Sequence, residues 1–152
     1  MATTRQRVRD LLDAHAREWI MTGSRECCDP APTDTDEDYV VLVSSPHKLD
    51  WLRSAGFMDS SGEYDCGSWM MAFRLEEFNI IVTGDRLFFD RFHAATLLSK
   101  QRNLMDRGER AELFDSIIYG APAYRELDGY AYPAPGTTDW HCATEIAPVK
   151  LG

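Results

Sequence analysis

Five consecutive residues, Tyr39-Val40-Val41-Leu42-Val43, are apolar and favour extended backbone. A run with no polar alternation belongs in the middle of a sheet, covered on both faces. The rest of the chain must therefore provide helices and further strands to pack around it. At 152 residues it is long enough for one domain with a sizeable core. Hydrophobic residues make up 44% and aromatics 11%, so a packed protein rather than a disordered one is expected.

The neighbouring segments read as follows. Val8, Leu11, Leu12 and His15 recur at helical spacing and predict a helix over Thr3 to Glu18. Trp19-Ile20-Met21 is a short apolar run that stops at Gly23, as a buried strand ending in a tight turn does. Arg25 to Asp38 has no apolar period and is broken by Pro30 and Pro32. Pro46 to Ala55, closed by Gly56, reads as a short helix. Trp69 to Leu75 and Phe78 to Thr83 read as strands, with Glu76-Glu77 either a turn or the start of the second. Asp85 opens a long helix with Phe88, Phe92, Ala95 and Leu98 on its apolar stripe, and Leu104 more loosely. Gly108 marks a break before a further helix over Glu109 to Tyr119. The expected fold is α/β (α+β): a small mixed sheet flanked by helices. Residues 1–120 form the core. Residues 121–152, with Pro122, Pro133, Pro135 and Pro148 and the aromatics Tyr124, Tyr130, Tyr132 and Trp140, are expected as an extended tail packed on it.

Charge narrows the functional classes. The formal net charge is −9, which argues against broad binding to a nucleic-acid backbone. Arg86, Arg91, Lys100, Arg102, Arg107 and Arg110 lie close in sequence and read as a solvated helix face, or as a local basic patch. No apolar run has the length of a membrane span, and the polar start is unlike a secretory signal, so a cytoplasmic protein is expected. Cys27, Cys28, Cys66 and Cys142 are then expected to be reduced. None forms a C-x-x-C pair, so a zinc site from Cys27, Cys66, His141 and Cys142 has no spacing to support it.

The chemistry concentrates between Trp19 and Val43. A strand delivers Thr22-Gly23-Ser24, and Asp34, Asp36, Glu37 and Asp38 follow just before the central strand. Residues two apart at the mouth of a strand point the same way, so Asp36 and Asp38 are paired on one side. Paired carboxylates suit a hard divalent cation, magnesium or manganese, and a pair of such ions suits phosphoryl transfer. Glycine lets backbone approach a phosphate closely, and backbone N–H groups with the Ser24 hydroxyl can hold phosphate oxygens. The bland alternative is a solvated acidic loop beside an ordinary turn.

The stretch TGSRECCDPAPTDTDEDYVVLV, with eleven residues between Ser24 and Asp36, resembles the nucleotidyltransferase superfamily related to DNA polymerase beta. That family's signature is a Gly-Ser turn followed by Asp-x-Asp on the next strand. The resemblance covers roughly Trp19 to Gly84. The segment FHAATLLSKQRNLMDRGERAELFDSIIYG and the short chain also resemble small nucleotidyltransferase-like proteins of tailed bacteriophages, which would place the protein in a host cytoplasm. The resemblance implies magnesium-dependent transfer of a nucleotidyl group from a nucleoside triphosphate to an acceptor hydroxyl, on RNA or a host protein. It implies Asp36 and Asp38 as metal-holding catalytic residues, and Gly23 and Ser24 as the nucleotide-binding turn. Family enzymes carry a third carboxylate on a later strand. The matching residue here is Asn79, which cannot take a proton from a hydroxyl at neutral pH and is a weaker magnesium ligand. Asn79 is then expected in nucleotide binding, with Glu77 or Asp65 as the stand-in catalytic carboxylate. If neither reaches the site, a catalytically weak or inactive protein that binds a nucleotide or a host protein is the alternative.

Overall fold

The computed structural model describes residues 3–33, 35–61, 70–119, 124–127, 130–133 and 149–150. Helix α1 (Thr4–His15) starts where the Thr3 hydroxyl accepts the Gln6 N–H, an N-cap that satisfies one of the open donors of the first turn. It buries Val8 and Leu12 and ends three residues sooner than its periodicity suggests, because Glu18 already belongs to strand β1 (Glu18–Thr22). Helix α2 (Gly23–Cys27) follows without a break, and strand β2 (Glu37–Leu42) comes next. Helix α3 (Asp50–Ser54), strands β3 (Met58–Asp59), β4 (Met71–Leu75) and β5 (Phe78–Thr83), and the long helices α4 (Arg86–Arg102) and α5 (Arg107–Tyr119) complete the core.

The five strands form one mixed sheet in the order β1-β2-β5-β4-β3. β2 pairs with β1 antiparallel and with β5 parallel, while β4 pairs with both β5 and β3 antiparallel. The apolar run is central, as its composition requires. Tyr39, Val41 and Val43 face a core closed by Val8 and Leu12 of α1 and Leu52 of α3. Val40 and Leu42 face a second core closed by Leu87, Phe88 and Phe89 of α4 and Ile118 of α5. Each of these buried aliphatic or aromatic side chains contributes roughly 1.5–3 kcal/mol of transfer free energy. α4 and α5 pack on each other through Ala94, Ala95, Leu98 and Ile117. Asp85 caps α4 by accepting the Phe88 N–H at 3.0 Å.

Several details differ from the sequence reading. Residues 23–27 are helical rather than loop, because Cys27 and Cys28 are buried and anchor the turn to α4 and the segment after it. The helix expected from Pro46 begins only at Asp50. β3 was too short to carry a pattern and exists by pairing with β4. Glu76 and Glu77 form a turn, and Glu76 has a left-handed φ of 52°. Gly108 lies inside α5 rather than in a break. Within the stretch expected as an extended tail, β6 (Tyr124–Leu127), β7 (Tyr130–Pro133) and β8 (Val149–Lys150) form a separate antiparallel sheet in the order β6-β7-β8.

The cluster of Arg and Lys between 86 and 110 is not one solvated face. Arg91 is fully buried and donates to the Ile118 carbonyl. Arg86 pairs with Glu18 and Asp90, Lys100 with Glu26, and Arg110 donates to the carbonyls of Leu104 and Met105. These charges are spent on holding α4 and α5 to their neighbours. No helix among the described residues is long and apolar enough to cross a membrane.

Candidate functional site

At one end of the sheet a row of polar residues crosses four strands in register. Thr22 of β1 lies opposite Asp38 of β2, Asp38 beside Asn79 of β5, and Asn79 opposite Arg74 of β4. All four lie on the α4 side, by alternation with Val40 and Ile81 of the second core. Asp36 precedes β2 by one residue and is joined to this row by Arg74, whose Nη1 lies 2.9 Å from Asp36 Oδ2.

Asp38 is the centre of the group. Its Oδ1 accepts a hydrogen bond from Asn79 Nδ2 at 3.1 Å. Its other oxygen lies against Gly23. A Cβ at Gly23 would overlap Oδ2 and come within 2.9 Å of Asp38 Cγ, and Gly23 has a φ of 75°. Two independent reasons therefore require glycine here: the backbone is left-handed, and the carboxylate occupies the space of a side chain. Burial pushes the Asp38 carboxyl up to about 6; the Asn79 hydrogen bond pulls against this, and the charge of Asp36 adds to it. Arg74 and Arg25 of α2 offset it in part.

The other face of the same strand end is also built. Glu37 is 2% exposed, and it accepts from Tyr39 Oη at 3.0 Å and pairs with Arg5 at 3.0 Å. Arg9 supports the group through its hydrogen bond to Tyr39 Oη. The first turns of α1 thus grip the residue between Asp36 and Asp38 from behind. The Glu37 N–H donates to the Glu77 carbonyl at 2.8 Å, tying this strand end to the β4–β5 turn.

The structure brings Gly23, Asp36, Asp38 and Asn79 together. Ser24 follows Gly23 in α2, and its carbonyl accepts the Cys28 N–H. Glu77 lies at the same end of the sheet but is exposed in the turn. Among the described residues no three His, Cys, Asp or Glu side chains gather as a metal-holding group. Asp34, Asp65, Cys66, His141 and Cys142 lie outside the described residues. Thr22 was read only as the residue that leads into the Gly23-Ser24 turn, and Arg74 was not singled out from sequence; the strand register alone carries Arg74 to the site.

Chemically, the group offers carboxylate oxygens beside the Gly23 turn, with the guanidinium groups of Arg25 and Arg74 near Asp38 and Arg74 paired with Asp36. Comparison with known proteins returned no matching family model, curated protein or solved structure.

Proposed function

We propose that this chain is a nucleotidyltransferase-type protein in which Asp36 and Asp38 hold magnesium or manganese, and Gly23 and Ser24 hold the phosphates of a nucleoside triphosphate. The observation that carries this reading is the contact of Asp38 with Gly23. A metal-holding carboxylate and a phosphate-binding turn must be adjacent, because the cation and the phosphate share oxygens. The donor set fits a hard cation. It is all oxygen, and Asp38 is a desolvated carboxyl beside a second acid, which a positive charge would stabilise; Arg74, 2.9 Å from Asp36, supplies that charge now and would yield Asp36 to the cation. When bound, the cation would neutralise charge on the transferring phosphate. Backbone N–H groups near Gly23 and the Ser24 hydroxyl hold phosphate oxygens. Asn79 fixes the Asp38 carboxylate through its amide. Glu77, exposed at the same sheet end, is the carboxylate left to take the proton of the acceptor hydroxyl. That acceptor is an RNA or a protein of the host in which the chain is made.

A specific observation favours a second reading. Asn79 stands in register beside Asp38 and donates to it, where a third carboxylate would serve catalysis. On this reading the same site binds nucleotide and cation, or the acidic chain binds a host protein, without turnover. Calorimetry with manganese chloride, followed by labelled nucleoside triphosphates with RNA and protein acceptors, separates the readings. The first expects cation binding that is lost in Asp38→Asn and label transfer that is lost in Asp36→Ala. Binding without transfer selects the second reading. No cation binding by the native chain removes both metal-dependent forms.

A further inference from the structure

β1 ends the five-stranded sheet, and among the described residues no strand pairs with its outer edge. An edge strand presents a row of open N–H and C=O groups, and proteins usually blunt such edges with charge, proline or a bulge. Here the middle of the strand is Trp19-Ile20-Met21, all partly exposed. Trp19 and Met21 lean to the α1 side and Ile20 to the α4 side.

Two clefts run along this edge. The first, about 320 Å³, has Asp13 and Ala16 on the α1 side and Phe89 and His93 on the α4 side. The second, about 270 Å³, continues past Met21 to Thr96 and Leu97. Ile20 and His93 line both, so the clefts adjoin as a trough along β1; the first lies between α1 and α4, and the second is walled by α4 and by Glu26 of α2. Leu97, at 51% exposure, forms an apolar rim. A trough that straddles both faces of an edge strand suits an added strand, whose alternate side chains would enter the two walls.

The geometry points to β1 as a docking edge for an extended segment of a partner protein in which apolar residues alternate with lysine or arginine. The charge pattern selects this occupant. Asp13, Glu18 and Glu26 line the trough with Arg17 on a chain of net charge −9, and Asp13 accepts from Trp19 Nε1 at 2.8 Å. Glu18 and Glu26 already have partners in Arg86 and Lys100, but exposed pairs of this kind are weak and exchange readily for an incoming cation. A second copy of this chain is disfavoured, since two molecules each carrying −9 repel and would bring like residues face to face. The proposal uses the Glu18–Met21 part of β1 and does not rest on the nucleotide reading, although Thr22 at the end of the same strand belongs to the row around Asp38.

The test uses the full chain and a synthetic peptide of alternating valine and lysine, capped at both ends. Calorimetric titration and amide exchange report binding. Saturable binding with slowed exchange at Glu18 to Thr22 is expected. Methylating alternate peptide amides, so that they cannot donate to the strand, is expected to weaken binding about tenfold or more, as is Leu97→Lys, which puts positive charge on an exposed rim without touching the core. Replacing peptide lysine by glutamate is expected to abolish binding. The proposal is overturned by no binding, by equal binding of the methylated or acidic peptide, by protection mapping away from β1, or by a dimer of the native chain that already protects those amides.

Discussion

Gly23 and Asp38 constrain each other directly. Gly23→Ala must place a methyl group where the Asp38 carboxylate lies, at a φ of 75°. The expected outcome is a loss of roughly 1–3 kcal/mol in urea unfolding, together with a displaced Asp38. Asp38 also makes stability depend on pH. Its folded pKa of about 6 lies above the ordinary carboxyl value of 3.8, so the folded state holds the proton more tightly than the unfolded state. The contribution of Asp38 to stability is therefore fully present below the unfolded value and is lost as pH rises toward 6, by no more than about 3 kcal/mol. Asp38→Asn removes this loss. Thermal melts are expected to show the variant more stable than the native chain at pH 7.5 and nearly equal to it at pH 3.5. At this scale much of the site was legible. Gly23, Ser24, Asp36 and Asp38 are close in sequence, and a turn followed by a strand brings them together by local rules. Asn79 was legible only through the resemblance of the Trp19–Gly84 stretch to nucleotidyltransferases. Arg74 was not, since its meeting with Asp36 depends on a register that β4 acquires by pairing.

Among the elements, the junction of α1 with β2 rests on a buried carboxylate. Glu37 exchanges water for Tyr39 Oη and Arg5, and Arg9 braces the tyrosine. Glu37→Gln keeps the shape but weakens the charge-assisted bonds, at a cost of about 1–3 kcal/mol in urea unfolding. Faster amide exchange in the first two turns of α1 is the accompanying signature; unchanged exchange there would show that the helix is held by Val8 and Leu12 alone. Periodicity located α1 and α4, apolar runs located β1, β2, β4 and β5, and α5 was read from the break before it. Periodicity did not locate α2, whose five residues are too few for a period and whose helical turn is stabilised by contacts from Cys27 and Cys28 to residues some seventy positions away. Glu37 read as part of an acidic loop for the same reason. Its partners approach from a helix thirty residues earlier.

For the molecule as a whole, a net charge of −9 sets the response to salt. Screening reduces self-repulsion in the compact state, so the melting temperature is expected to rise as sodium chloride is increased from low to physiological concentration. A fall instead would mean that the ion pairs of Arg86, Lys100 and Arg5 outweigh the net repulsion.

The run from Tyr39 to Val43 and the helical stripes around it were enough to require a mixed α/β layer structure, since burial of apolar side chains follows their spacing along the chain. The strand order, the parallel pairing of β2 with β5, and the row Thr22–Asp38–Asn79–Arg74 were settled by tertiary structure alone. Periodicity says which face of an element is covered. Which strands become neighbours is decided by hydrogen bonding and packing between segments far apart in sequence, and those interactions place a carboxylate against a glycine.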